Sequence, residues 1–162
     1  IGKCLLAGLL VVGVAGCADA QVSKPTLDKL DRGMGSVLLG SVIPAPDGRL
    51  VEDGEGACDR LPSSACGYEI GPYTYYFSDG KLVSKTFEFV SANDTGPWGL
   101  RSSDTPSEVV RKLAPYLGRI APVVADGVLY YEIECSPNLC RLDVQMRGGG
   151  LESIRLYYSD TI

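Results

Sequence analysis

Two segments, VLYYEIEC at residues 128–135 and CRLDVQM at residues 140–146, decide the fold of this chain. In both, apolar and polar side chains alternate, as they do in strands of a sheet that buries one face. Pairing Cys135 with Cys140 makes that face apolar along its whole length, which is the condition that sets a strand register. The other pairs in this register are Ile133–Leu142, Tyr131–Val144 and Leu129–Met146. The sequence therefore predicts an antiparallel hairpin with one buried face.

A third strand continues the same buried face. A five-residue loop over 147–151 would set Val144 opposite Ile154 and Leu142 opposite Leu156, which keeps the apolar side chains in line. The predicted unit is a three-stranded antiparallel meander.

The polar face of this meander is the predicted surface for a protein partner. In the predicted register Arg141 lies between Glu134 and Tyr157, Asp143 lies between Glu132 and Arg155, and Tyr130 lies beside Gln145. Tyrosine and arginine are the residues that most often anchor protein interfaces. Ordinary sheet packing is an equally good interpretation of Tyr130 and Tyr157. The predicted partner surface consists of Tyr130, Glu132, Glu134, Arg141, Asp143, Arg155 and Tyr157.

A second hairpin is predicted in the first half of the chain. The segments 73–77 and 82–90 are rich in β-forming residues, and Asp79-Gly80 between them favours a tight turn in which both residues adopt positive φ. Residues 44–72 contain many glycine, proline and acidic residues, so an irregular excursion is expected there.

Helices are predicted at two places. Residues 105–108 read Thr-Pro-Ser-Glu, a capping box with proline at the first helical position. The helix should extend to about Ala114, where Pro115 ends or kinks it. Residues 26–40 are ambiguous, because Leu27 and Leu30 suit a short helix but three glycines weaken it.

The fold class that follows is α+β, an antiparallel β-meander packed on one or two short helices within a single domain over 26–162. Residues 80–84 and 149–153 resemble each other, and each lies near the end of a half that holds one cysteine pair. This repetition suggests a tandem of two α–β units, with halves 26–92 and 93–162.

The amino-terminal segment has the pattern of a secretory signal. Lys3 precedes an apolar run over residues 5–15, which is too short to span a bilayer as a helix. Residues 14–17 read Val-Ala-Gly-Cys and resemble the lipobox of bacterial lipoproteins. That resemblance implies a signal peptide over 1–16, cleavage before Cys17 and lipid attachment to its thiol.

The expected localisation follows from the lipid. Two or three acyl chains on Cys17 would anchor the chain to an envelope membrane through a tether over 17–25, since each buried methylene contributes about 0.8 kcal/mol. Ala18 stands where the sorting rule of enteric bacteria reads aspartate as retention in the inner membrane. The periplasmic face of the outer membrane is therefore favoured over the inner membrane.

Cys4 lies within the predicted signal peptide, and with it and Cys17 set aside four cysteines remain, namely Cys58, Cys66, Cys135 and Cys140. An even number in an oxidising compartment predicts disulfides, with three possible connectivities. The local pairs Cys58–Cys66 and Cys135–Cys140 are favoured. The spacings do not match a C-x₂-C zinc motif, so no metal site is predicted.

Composition excludes several kinds of chemistry. The chain contains no histidine, which removes Ser-His-Asp and Cys-His catalysis and histidine-ligated metals. Its formal net charge of −5, without a basic cluster, argues against nucleic acid as a partner. Neither an enzyme nor a cofactor is predicted. The pair Glu132 and Asp143 leaves a carboxylate-dependent hydrolase as an alternative.

The carboxyl half also resembles a known family. Gly99-Leu100, a capped helix with Glu108-Val109-Val110, Leu117-Gly118 and then a meander look like the SmpA/OmlA small lipoproteins. The tandem form, with one local disulfide in each half, is similar to the β-lactamase-inhibitor-protein fold. The resemblance implies a curved antiparallel sheet with helices on one face and a protein-binding surface on the other. The expected function is a non-enzymatic protein-binding or envelope-assembly accessory, and the alternative is an inhibitor of a periplasmic or exogenous enzyme.

Overall fold

The structure is a computed structural model that describes residues 24–42, 49–53, 66–135 and 138–159. The predicted signal peptide, Cys17 and Cys58 lie outside the described residues. The helices are Lys24–Arg32 (α1) and Pro106–Leu117 (α2), and the strands are Arg49–Asp53 (β1), Cys66–Ile70 (β2), Tyr73–Ser78 (β3), Lys81–Glu88 (β4), Val123–Ala125 (β5), Val128–Cys135 (β6), Asn138–Arg147 (β7) and Gly150–Tyr158 (β8).

All these strands belong to one antiparallel sheet of eight strands, in the order β1-β2-β3-β4-β8-β7-β6-β5. Each helix precedes four strands along the chain, and the last strands of the two sets, β4 and β8, pair in the middle of the sheet. The chain is thus a mixed α+β protein in which the sheet predominates. The predicted irregular excursion over 44–72 was wrong in part, because β1 and β2 lie within it. Strand β5 was not predicted from the sequence.

The hairpins β3–β4 and β7–β8 are built alike. Adding 69 to the residue numbers of the first hairpin gives the paired positions of the second, including a bulge at Val83 that corresponds to one at Glu152. Asp79-Gly80 and Gly148-Gly149 form the two turns, and all four residues have positive φ. This confirms the turn predicted at Asp79-Gly80. The predicted five-residue loop after β7 was wrong, because the bulge allows pairing to continue down to a two-residue turn.

The helices pack on one face of the sheet. Leu30 and Met34 from α1 and its end join three side chains of α2 in one cluster with the sheet. The predicted apolar face of the meander is confirmed as the buried one. Its buried side chains include Leu129, Tyr131, Ile133, Cys140, Leu142, Val144, Leu151, Ile154 and Leu156.

The register between β6 and β7 differs from the prediction by two residues. Cys135 lies opposite Asn138, and Ile133 lies opposite Cys140. Side chains alternate with a period of two, so this shift leaves every side chain on its predicted face. The apolar pattern fits both registers equally well. The observed one leaves two residues between Cys135 and Asn138, a connection length that hairpins favour.

The disulfide Cys135–Cys140 joins β6 to β7, with 5.7 Å between the two Cα atoms. It confirms the predicted pair Cys135–Cys140, whereas the predicted pair Cys58–Cys66 includes Cys58, which lies outside the described residues. Cys66 is buried at the start of β2 and is disulfide-bonded as well.

Helix α2 begins as the sequence predicted. The Thr105 hydroxyl accepts a hydrogen bond from the Glu108 amide, and the Glu108 carboxylate accepts one from the Thr105 amide. Its predicted end near Ala114 was wrong, because the helix continues through Pro115 to Leu117. Pro115 is exposed and lies in the last turn, where water can solvate the carbonyl that proline leaves without a donor.

A buried ion pair joins α1 to the middle of the sheet. Lys85 of β4 is 0% exposed, and its Nζ lies 2.5 Å from Oδ1 of Asp31 and 2.9 Å from the Asp31 carbonyl oxygen. The other carboxylate oxygen of Asp31 accepts a hydrogen bond from the Leu39 amide at 2.8 Å. Burial raises the pKa of Asp31 and lowers the pKa of Lys85, and the attraction between the two charges opposes both shifts.

Trp98 also contacts α1, through a hydrogen bond from its indole. Its indole Nε1 donates to the Leu30 carbonyl at 3.1 Å, although the residue adopts the left-handed φ of 57° that is rare for bulky side chains. A Cβ atom on Gly33 would lie 2.0 Å from that nitrogen. Trp98 is therefore a packed anchor between the loop and α1.

Candidate functional site

The outer face is defined as the face of the sheet opposite the helices. Strands β6, β7 and β8 place all the residues of the predicted partner surface on it, because the register shift preserved their parity. Their neighbours differ from the prediction, however. Arg141 lies between Glu132 and Tyr157 rather than between Glu134 and Tyr157. Asp143 lies between Tyr130 and Arg155 rather than between Glu132 and Arg155.

Arg141 is held by two neighbours on this face. Its Nε donates to Oδ1 of Asp143 at 2.6 Å, and its guanidinium carbon lies 3.9 Å from the centre of the Tyr130 ring. The second oxygen of Asp143 accepts a hydrogen bond from the Tyr157 hydroxyl at 3.0 Å. Both oxygens of this carboxylate are therefore in use, and its charge is compensated by Arg141.

Arg155 is stacked in the same manner but lacks a carboxylate. Its guanidinium carbon lies 4.6 Å from the centre of the Tyr157 ring, and its Nε donates to the Ser84 hydroxyl at 3.1 Å. Within the described parts of the chain, no aspartate or glutamate forms an ion pair with Arg155. Asp143 is its Cα partner across the strands but contacts Arg141 instead.

Tyr130 and Tyr157 hold the two arginines in place, because each guanidinium stacks on one of their rings. Tyr157 is only 8% exposed although it lies on the outer face. Burial raises the pKa of its hydroxyl, and the nearby charge of Asp143 raises that pKa further. Tyr157 is therefore neutral at physiological pH and donates to Asp143. A partner would meet the arginines first and the rings at their edges.

Ser84 is a site residue that sequence reasoning missed. It is 2% exposed and comes from β4, in the first half of the chain. Only the pairing of β4 with β8 brings it beneath Arg155, and no local pattern indicates that pairing. Glu132 and Glu134 are exposed residues of β6, the strand next to Arg141 on β7.

Neither Glu132 nor Asp143, the pair suggested for acid/base chemistry, lines the cleft that the described residues form. This cleft, of about 380 Å³, lies where β4 and β8 meet β7, and it is partly open to solvent. The residues that line it are Glu88, Phe89, Val90, Gln145, Glu152 and Ser153. In the described ranges, no group of three or more cysteine or acidic side chains is arranged to hold a metal ion.

Searches among known protein families, curated proteins and solved structures found no match to this chain. The likeness to small lipoproteins therefore depends on the quoted motifs alone. Neither helix in the described part of the chain is long and apolar enough to cross a membrane.

Proposed function

We propose that the chain is a lipid-anchored protein of the bacterial envelope that binds another protein through its outer face and catalyses no reaction. The lipobox-like residues 14–17 support the anchor, and Ala18 supports the outer membrane over the inner one. On this proposal, Cys17 carries the lipid and residues 17–25 connect it to a domain over 26–162. The role is that of an envelope-assembly accessory.

The observation that carries the proposal is the pair of stacked arginines. Arg141 over Tyr130 and Arg155 over Tyr157 lie side by side on the central part of the outer face. Each guanidinium is fixed through Nε, so little side-chain entropy remains to be lost when a partner binds. Arginine and tyrosine often dominate the binding energy of protein interfaces, because each side chain combines a large contact area with hydrogen-bonding capacity.

Binding and stability should separate on the two faces of the sheet. Partly exposed cation–π contacts and ion pairs contribute about 0.5–1 kcal/mol each. Truncating Tyr130 and Arg155 together should therefore cost about 1–2 kcal/mol of unfolding free energy. Ile133 is 0% exposed on the opposite face. Its replacement by alanine should lower the free energy of unfolding by about 2–5 kcal/mol, because it leaves a cavity.

Site-specific photo-crosslinking in living cells tests the proposal. A photoreactive phenylalanine analogue is placed at Glu132 or Gln145, both exposed on the outer face, and at Arg111 or Ala114 on α2 as matched controls. We expect a discrete protein adduct from the outer-face positions only, and its loss in the variant Tyr130→Ala/Arg155→Ala. Adducts from α2 with none from the outer face would contradict the proposal.

An inhibitor of a periplasmic or exogenous enzyme is the second candidate. The observation that favours it is the succession of two sets of one helix and four strands, with hairpins that correspond at a spacing of 69 residues. This arrangement supports halves near 26–92 and 93–162 and the likeness to the β-lactamase-inhibitor-protein fold. Both candidates use the outer face, and the identity of the crosslinked protein distinguishes them.

A further inference from the structure

Arg155 is held in a fixed position, and no carboxylate among the described residues forms an ion pair with it. The Tyr157 ring supports its guanidinium from below, and the Ser84 hydroxyl occupies its Nε–H. The remaining donors of the guanidinium form a planar fork that matches a carboxylate. Arg141 has its charge matched by Asp143, whereas no carboxylate among the described residues forms an ion pair with Arg155.

The surroundings of this cation are acidic. Glu132 lies exposed on β6, and Glu88 lies exposed on β4. An acidic face with one arginine that no described carboxylate pairs with disfavours polyanions such as nucleic acid or an anionic membrane surface. It suits a ligand with one negative group surrounded by positive ones, because complementary charge patterns determine which partners are accepted.

We propose that Arg155 binds an aspartate or glutamate side chain of the partner protein, presented on a loop whose flanking residues are basic. This inference deepens the proposed function and depends on it. The partner's carboxylate would accept two hydrogen bonds from the terminal amino groups of Arg155. The flanking lysines or arginines would approach the acidic side chains on either side.

A selection of disulfide-cyclised random peptides on phage provides the probe. The bait is the mature chain purified from membranes in detergent, and peptides are sorted by their dependence on the outer face, read as loss of binding to Tyr130→Ala. We expect the face-dependent peptides to share one acidic residue flanked by basic residues. Replacing that acid by its amide should weaken binding about tenfold or more, as expected for a charged hydrogen-bonded pair.

A double-mutant cycle then assigns the contact. Arg155→Gln and the peptide's acid-to-amide change should each weaken binding about tenfold, and together they should cost little more than either alone. Arg155→Lys should recover only part of the loss, because an ammonium cannot form the planar fork. Arg111→Gln, an exposed arginine on α2, is the matched control and should leave binding unchanged.

Two outcomes would overturn the inference, and they are distinguishable. Face-dependent peptides without a common acid, or with additive effects in the cycle, would refute the role of Arg155 while leaving the outer face as the binding surface. A selection that yields no peptide sensitive to Tyr130→Ala would count against the inference and the proposed function together.

Discussion

Removing the ammonium group of Lys85 should lower the free energy of unfolding by about 3–5 kcal/mol, because it leaves a buried charge without its partner. Lys85→Met is the suitable change, since methionine keeps most of the apolar stem. The Asp31 side chain is 8% exposed, and the only other hydrogen-bond donor to its carboxylate among the described residues is the Leu39 amide. Water cannot replace the lost ammonium at so low an exposure.

The loss should depend on pH in a defined direction. Burial already raises the pKa of Asp31, and Lys85 opposes that increase. Without Lys85 the carboxyl group should bind a proton at higher pH, which removes the uncompensated charge. A group whose pKa is raised in the folded state stabilises the fold below that pKa and loses this contribution as pH rises. The destabilisation by Lys85→Met should therefore be larger at pH 8 than at pH 5.

Urea unfolding of the wild type and the variants at both pH values measures these differences. The matched control is Asp31→Asn/Lys85→Met, which removes both charges and keeps an acceptor for the Leu39 amide. It should recover more than half of the loss, since apolar replacement of a buried pair is often neutral. A loss under about 1 kcal/mol for Lys85→Met at pH 8, or an equal loss at pH 5, would refute the assignment of a dry ion pair.

Three further predictions concern other parts of the chain. Gly33→Ala should break the contact with Trp98 and cost about 1–3 kcal/mol, and the fluorescence of this single tryptophan should shift to the red in the native state. Unchanged native fluorescence would contradict the packing of the indole on α1. Thr105→Ala removes the cap of α2 and should cost about 0.5–2 kcal/mol, measured by thermal unfolding, whereas Thr105→Asp should be nearly neutral; equal losses would show that capping is not the cause. Cys17→Ala should leave an uncleaved chain that takes up no alkynyl fatty acid in metabolic labelling, and undiminished label would refute the lipid anchor.

The sequence predicted those features that depend on neighbouring residues. The alternation in residues 128–146 specified which side chains of the meander are buried, because successive side chains point to opposite faces. Asp79-Gly80 specified a tight turn, Thr105 specified the start of α2, and Cys135 with Cys140 specified a local disulfide. Each of these features is set by residues that lie close together in the chain, so their physical causes can be read from the sequence.

The same local patterns could not set the register. Two registers that differ by two residues bury the same faces, so the apolar pattern left the pairing of β6 with β7 undecided. This is why Glu134 was placed opposite Arg141, whereas Glu132 occupies that position. The length of the connection between β6 and β7 and the packing of the whole sheet determine which of the two registers forms.

The outer-face site was predicted as a set of residues but without its arrangement. That Arg155 bonds Ser84 follows from the pairing of β4 with β8, which brings together residues 71 apart in sequence. Nothing in the sequence near Lys85 indicates that its side chain is buried. Only the docking of α1 provides the carboxylate, that of Asp31, which allows this burial. The sequence by itself determined which face the side chains of the meander occupy. Tertiary structure decided which charges meet, because contacts between distant segments depend on the packing of the complete sheet and helices.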